Sequence, residues 1–225
     1  MEKDPVKYFP LLADLEEEEL ELVRETLVAR KYPKNSLIIY EDDVGNCLFI
    51  LKKGRVKISV TAMDGGEAIL AILGEGDFFG ELSVIDGLER SASVTAIDDV
   101  ELLMMNRNDF FEILERVPKI AIALLKELAG RIRKSDSHIS SLSLLDARGR
   151  VAATLIRLAE DIGKVREGKV HVDELPLQRD LANIAGTSRE TISRVVKRFE
   201  DEGHCIMDGN TLVFNDFDDF KRTFS

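Results

Sequence analysis

The stretch Gly80-Glu81-Leu82-Ser83, with Arg90-Ser91-Ala92 close behind it, holds the residue types with the clearest chemistry in this chain. A run of backbone N–H groups opening a short helical turn attracts an anion. Arg90 adds a charge that cannot be titrated away, on a planar fork that fits phosphate oxygens. Ser91 adds a hydroxyl. Glu81 repels a phosphate, but an ionised carboxylate is a pure acceptor and can take a sugar hydroxyl. Anion donors with one carboxylate beside them therefore suggest a sugar phosphate. For Gly-Glu-Leu alone, a surface turn with a solvated arginine is the better reading. The preceding Gly76-Asp77-Phe78-Phe79 and the following Arg-Ser-Ala favour the anion site.

The surrounding patterns supply elements to position such a site. From about residue 5 to Tyr32 a leading segment and a helix are expected, with Leu20, Val23 and Leu27 at helical spacing. The acidic run Glu16–Glu19 suits a helix N-terminus, but a solvated face is the better reading of it. From Asn35 to about Asn106 the period becomes two. Val56, Ile58 and Val60 alternate with polar residues, followed by Ile69, Ala71 and Leu73, then Val94 and Ala96, then Leu102 and Met104. Gly45, Gly54, Gly65-Gly66, Gly74, Gly76 and Gly87 mark turns. Many short strands between glycine turns predict an antiparallel barrel or jelly roll, which can hold a small ligand.

A short helix is expected over Asn108–Glu115, and Pro118 suits the first position of a long one. Leu125, Leu128, Ile132, Ser135, Ile139 and Leu142 alternate steps of three and four, a coiled-coil seam that reads as a dimer interface. Ser135 is its polar break. Asp146 can cap the next helix, which spans Arg150–Ile162, and this junction is the expected hinge. Val170–Val172 reads as a strand. Arg179–Thr191 then reads as helix, turn at Gly186 and second helix, a helix-turn-helix. Ile192, Val195, Val196 and Phe199 form a buried face, which leaves Arg189, Glu190, Arg194 and Lys197 outward. Gly203 ends this helix, and Ile206–Phe214, around Asp208-Gly209-Asn210, reads as a hairpin. The pair is thus a winged helix-turn-helix.

Composition sets the limits. The chain has 225 residues, enough for two modest domains. Hydrophobic residues make up 44% and charged residues 32%, as in soluble globular proteins. No long uncharged apolar run predicts a membrane span, and no apolar stretch follows Met1-Glu2-Lys3-Asp4, so a cytoplasmic location is expected. Cys47 and Cys205 cannot supply a four-thiolate cluster. His138, His171 and His204 lie in unlike contexts without ligand spacing, so no metal, haem or iron–sulfur cluster is expected. The net charge of −11 argues against a general nucleic-acid binder but leaves room for a locally basic reading head. No nucleophile–base constellation is apparent, so the chain is not expected to be an enzyme.

Gly-Asp-Phe-Phe-Gly-Glu-Leu…Glu-Arg-Ser-Ala resembles the phosphate-binding cassette of cyclic-nucleotide-binding domains, and above all that of the CRP/FNR transcription regulators. Arg-Glu-Thr-x-x-Arg after a Gly-x-Ser turn resembles the recognition helix of the same family. The resemblance covers nearly the whole chain in the family's order. It implies an α+β protein: an N-terminal double-stranded β-helix or jelly-roll effector domain (1–116), a dimerisation helix (117–145) and a C-terminal winged helix-turn-helix (146–225). It implies a cyclic nucleotide as effector, cyclic AMP before cyclic GMP, bound around Gly80, Glu81, Leu82, Ser83, Arg90 and Ser91. In this pattern Glu81 takes the ribose 2′-hydroxyl, and Arg90 and Ser91 take the cyclic phosphate.

Ile58 and Leu70 match positions lining the nucleotide pocket, though plain core explains them as well. Arg131 matches a partner of the ribose-binding Glu, and Ser135 and Asp136 match positions that reach the base. The sequence departs from the pattern at Asp136, where a hydroxyl residue is usual, and at Leu177, where a threonine can cap the first helix. The expected DNA-contacting set is Gln178, Ser188, Arg189, Glu190, Thr191, Arg194 and Lys197. Arg189, Glu190 and Arg194 would read bases, while Ser188 and Thr191 are better placed for phosphates. A homodimer on double-stranded DNA, at an inverted repeat of TGTGA-like half-sites, is the implied assembly, with RNA polymerase as a further partner. The same architecture with another effector, or none, is the alternative.

Overall fold

The computed structural model describes residues 9–224. Met1–Asp4 and the Pro5 start of the leading segment lie outside the described residues. The fold divides into two compact units, and the division falls between Arg133 and Lys134.

In the first unit, helix α1 (Glu17–Thr26) opens on a capping box. The Glu16 side chain accepts from the Glu19 backbone, and Glu19 Oε2 accepts from the Glu16 N–H at 2.9 Å. The acidic run is thus a helix start and more than a solvated face. Leu27 already leaves the helix, and strand β1 (Val28–Tyr32) follows. The remaining strands are β2 (Leu37–Ile39), β3 (Cys47–Lys53), β4 (Val56–Thr61), β5 (Glu67–Leu73), β6 (Phe78–Phe79), β7 (Ser93–Ala96) and β8 (Val100–Asn106). They form two four-stranded antiparallel sheets, ordered β1-β8-β3-β6 and β2-β7-β4-β5, a jelly roll.

The first sheet is covered on both faces. Phe49, Leu51, Phe79 and Leu102 share a core with Ile39, Val56, Val94 and Ala96 of the second sheet. On its other face, Leu48, Ile50, Phe78 and Met105 pack with Leu20 and Val23 of α1, with Phe110 and Ile113 of α3 (Arg107–Arg116), and with Ile120 and Leu124 of α4 (Pro118–Leu144). This explains why β8 buries Met105 more deeply than the expected Met104.

The expected alternation of β4 and β5 breaks at one point. Ile58 pairs with Ala71 but Ser59 pairs with Ile69, so Leu70 is the extra residue of a bulge. Beyond the bulge the inward positions change. Ser59 is buried in place of Val60, and Ile72 in place of Ala71 and Leu73.

The second unit contains the end of α4, then α5 (Ala147–Ile162), capped by Asp146, whose Oδ1 accepts from the Gly149 N–H at 2.7 Å. Next come β9 (Lys164–Arg166), β10 (Lys169–Val172), α6 (Gln178–Ala185), α7 (Arg189–Asp201), β11 (Cys205–Asp208), β12 (Thr211–Phe214) and α8 (Phe217–Phe224). The four strands form one antiparallel sheet in the order β11-β12-β10-β9. Strand β9 and helix α8 carry no signal in the sequence reading. Helix α8 is held by Phe220, which packs edge-on to Phe199 at 5.2 Å. Among the described residues no helix is long and apolar enough to cross a membrane.

Candidate functional site

The anion cassette forms between β6 and β7. Gly80, at φ 80°, and Gly87, at φ 76°, bracket helix α2 (Glu81–Asp86). Both take the left-handed conformation that glycine adopts without strain, so the turn can leave β6 abruptly. Arg90 follows and is 7% exposed. Its Nη1 donates to Gly80 O at 2.8 Å and to Ser83 Oγ at 2.7 Å, and its Nη2 donates to Cys47 O at 2.7 Å. All three acceptors are neutral. Among the described residues no carboxylate pairs with this guanidinium. A buried charge without a counter-ion is costly, and an anion supplied from outside relieves that cost.

The segment 40–46 fixes Arg90 from the other side. The Arg90 N–H donates to Asp43 O at 2.9 Å, and the Asp42 N–H donates to Arg90 O at 3.0 Å. Asp42 sits at φ 69° to make this turn. A Cβ on Gly45 would lie 2.2 Å from Ser83 Oγ and 2.4 Å from Arg90 Nε, so only glycine lets the segment lie against the guanidinium. Sequence reasoning missed this strap. A glycine flanked by the exposed Val44 and a strand start was its one legible mark.

Glu81 is 5% exposed, and its Oε1 accepts from Arg131 Nη1 at 2.9 Å. Arg131 also donates to Phe78 O at 2.5 Å and lies 4.2 Å above the Phe78 ring. The carboxylate is therefore fixed in direction by Arg131, with its second oxygen left to accept from a hydroxyl. Gly80, Glu81, Ser83, Arg90 and Arg131 come together in this way. Ser91 is exposed beside Arg90. Leu82 is exposed and Ile58 half-buried, while Leu70 projects from the bulge, 47% exposed. Ser135 and Asp136 are exposed on the part of α4 that belongs to the second unit.

In that unit α6 and α7 form the helix-turn-helix. Gly186, at φ 56°, ends α6, and Ser188 starts α7. Ile192, Val195, Val196 and Phe199 are buried; Gln178, Arg189, Glu190, Arg194 and Lys197 are exposed, and Thr191 is half-buried. Leu177 precedes α6 without a side-chain cap and is 66% exposed.

Several side chains are more committed than their spacing suggests. Ser188 Oγ accepts from the Thr191 N–H at 3.2 Å and lies 3.1 Å from Thr191 Oγ1, so it works as a helix cap. Hydrogen bonds from its own backbone and from Ser188 hold the Glu190 carboxyl below its usual range. Glu190 forms no ion pair with Arg194 among the described residues; Arg194 Nη2 approaches Thr191 Oγ1 at 3.5 Å instead. Lys197 spends its charge within the helix, 3.3 Å from Asp201 and 3.8 Å from Glu200. Among the described residues Arg189 and Arg194 form no salt bridge, although the Arg189 charge also helps to lower the Glu190 carboxyl.

Comparison with known proteins matches the chain to two domain families. A family model described as the cyclic nucleotide-binding domain matches residues 29–117, and one described as the Crp-like helix-turn-helix domain matches residues 149–223. The chain is 38% identical over 199 residues to the cyclic AMP receptor protein of Thermus thermophilus, covering 88% of each. It is 32% identical over 191 residues to the CRP-like cAMP-activated global transcriptional regulator of Mycobacterium tuberculosis, covering 85% of each. Among solved structures, the Thermus thermophilus catabolite activator protein superposes with a TM-score of 0.55 at 34% identity, over 96% of this chain and 100% of that one.

Proposed function

Because the chain belongs to the CRP/FNR family of transcription regulators, which are not enzymes, we propose that it is a DNA-binding regulator switched by a cyclic nucleotide, cyclic AMP first. The observation that carries this reading is Arg90, a buried guanidinium with only neutral acceptors, in the same cassette as an arginine-anchored carboxylate. A cyclic phosphate supplies the missing anion, and its ribose 2′-hydroxyl donates to Glu81. Ser91 adds a hydroxyl to the phosphate, and Ile58, Leu70 and Leu82 offer apolar contact to the nucleoside. Ser135 and Asp136 are the candidates for contact with the base. A carboxylate accepts from an exocyclic amine, which adenine and guanine both carry, so Asp136 does not by itself select between them.

The chain works as a homodimer on this reading. Leu125, Ile132, Ile139 and Leu142 are 43–66% exposed along α4, and a second copy of the helix would cover them. Effector binding biases the α4 pair, and the paired reading heads dock on successive major grooves. Arg189 and Arg194 suit guanine O6 and N7, and Glu190 suits cytosine N4, which favours G·C-containing half-sites such as TGTGA in inverted repeat. Gln178 and Thr191 contact the backbone. RNA polymerase in the cytoplasm is the further partner.

Isothermal titration with cyclic AMP, cyclic GMP and adenosine tests the reading. A preference for either cyclic nucleotide over adenosine by 100-fold or more supports it. Equal, weak binding of all three overturns it.

A further inference from the structure

We propose that the first turn of α5 sets the orientation of the recognition helix, with Arg150 and Arg148 as positioning residues at the two ends of that helix, and that this grip passes the effector's signal from α4 to the DNA-reading face. The inference rests on the DNA-binding function proposed above.

Arg150 holds the start of α7. Its Nη1 donates to Leu145 O at 3.1 Å, at the junction between the end of α4 and the start of α5. Its Nε donates to Ala185 O at 3.1 Å, and its Nη2 lies 3.4 Å from Gly186 O. Ala185 and Gly186 close α6, where carbonyls have no partner within the helix. Only Thr187 separates them from Ser188, the cap of α7. One planar guanidinium thus joins the α4–α5 junction to the corner in front of the recognition helix. Helix α4 closes the same corner from its own side. His138 Nε2 lies 3.0 Å from Ile184 O, and a Cβ on Gly186 would meet Leu142 at 3.0 Å.

Arg148 holds the far end. Residues two apart on a helix point about 200° apart, so Arg148 and Arg150 leave the same turn in opposite directions. Arg148 Nη2 donates to Glu202 Oε2, on the residue that caps the C-terminus of α7. Its guanidinium lies 5.3 Å from the ring centre of Phe199 in α7 and 5.2 Å from that of Phe224 at the end of α8, where the ring faces attract the charge. Phe224 in turn packs on Phe199 at 4.9 Å. Two points fix the direction of a helix axis, so α7 has to follow the first turn of α5. That turn continues the chain from α4 through Leu145 and Asp146. Helix α4 itself runs through the division between the two units. A change that the effector imposes on α4 therefore reaches Arg189, Glu190 and Arg194 through this grip.

The test measures the DNA affinity of the full chain by fluorescence anisotropy, with and without saturating cyclic AMP, on a duplex carrying inverted TGTGA half-sites. Arg150→Lys keeps the charge but replaces a planar fork by a single point donor, which cannot span the junction and the corner together. The ratio of the two affinities should fall about five-fold below the parent's, the size of one net hydrogen bond. A merely structural arginine would lower both affinities alike, and an unchanged ratio overturns the inference. Should Arg150→Lys fail to fold, Glu202→Gln decides in its place. It removes the charge that anchors Arg148, and the ratio should fall about two-fold, the size of an exposed ion pair; an unchanged ratio again overturns the inference. Hydrogen exchange of the amides of residues 187–192, read by mass spectrometry without DNA, should speed up in the variant that folds, with the β3 amides unchanged. Unchanged exchange at residues 187–192 would overturn the grip. A parent that binds no duplex at any cyclic AMP concentration would refute the DNA-binding function instead, and the exchange measurement would still decide the grip.

Discussion

Replacing Arg90 by alanine separates the phosphate site from the rest of the molecule. In the free protein the guanidinium makes three bonds to neutral oxygen acceptors at 2.7–2.8 Å and a longer one to Cys47 Sγ at 3.6 Å. Bonds of this kind contribute roughly 1 kcal/mol each, and burying the charge without an anion offsets part of that gain. The unliganded variant should therefore fold, losing about 1–2 kcal/mol. The liganded protein loses more. Exchanging neutral acceptors for a phosphate makes the bonds charge-assisted and about twice as strong, and it removes the uncompensated charge. Together these amount to about 3 kcal/mol, or on the order of 100-fold in affinity. Calorimetry with cyclic AMP reads this directly, and thermal melting gives a second view. Ligand at 100 times its Kd stabilises the parent by about 2.7 kcal/mol, which for a chain of this size raises the melting temperature by about 5–10 °C. The variant should show no such rise at the same concentration. Adenosine, which lacks the phosphate, should bind parent and variant alike. Cyclic AMP bound by Arg90→Ala within ten-fold of the parent would refute the reasoning, because the buried guanidinium would then not be waiting for an anion.

Four further outcomes are expected. Ile132→Asp, at a position 62% exposed on α4, should leave the circular dichroism unchanged and turn the sedimenting species from dimer to monomer; a dimer that survives places the interface elsewhere. Ser188→Ala should cost about 1 kcal/mol of stability through the lost cap and weaken binding to all sequences alike, read by thermal melting and by DNA titration; in selection from a random pool, Glu190→Ala should relax one base pair per half-site. Burial pushes the Cys205 thiol up to about 11, so at pH 8 only Cys47 should react with a disulfide reagent before unfolding, and cyclic AMP should slow it because Cys47 Sγ lies 3.6 Å from Arg90 Nη2; two fast native thiols would contradict the burial of Cys205.

Most of the elements are legible in the sequence because their signals are local. The period of two announces the jelly-roll strands, and Pro118, Asp146 and Ser188 mark helix starts through groups within four residues. Gly186 and Gly203 mark helix ends through their own left-handed backbone. The spacing of Glu81 and Arg90 likewise announces an anion site with a hydroxyl acceptor. Partnerships between distant residues carry no such mark. Nothing near Arg90 says that it donates to the carbonyl of Cys47, or that Gly45 must lack a side chain to let it do so. The bulge at Leu70 arises in the pairing of two strands, so neither strand's own pattern contains it. Ser188 reads equally well as a phosphate contact or a cap, and only the finished turn commits its hydroxyl. His138 looks like an isolated surface histidine until α6 brings Ile184 against it, forty-six residues further on. Periodicity and capping depend on a few covalently adjacent residues, so the sequence by itself determines them. Which carbonyl meets which guanidinium or imidazole depends on long-range packing, and only the tertiary structure decides that.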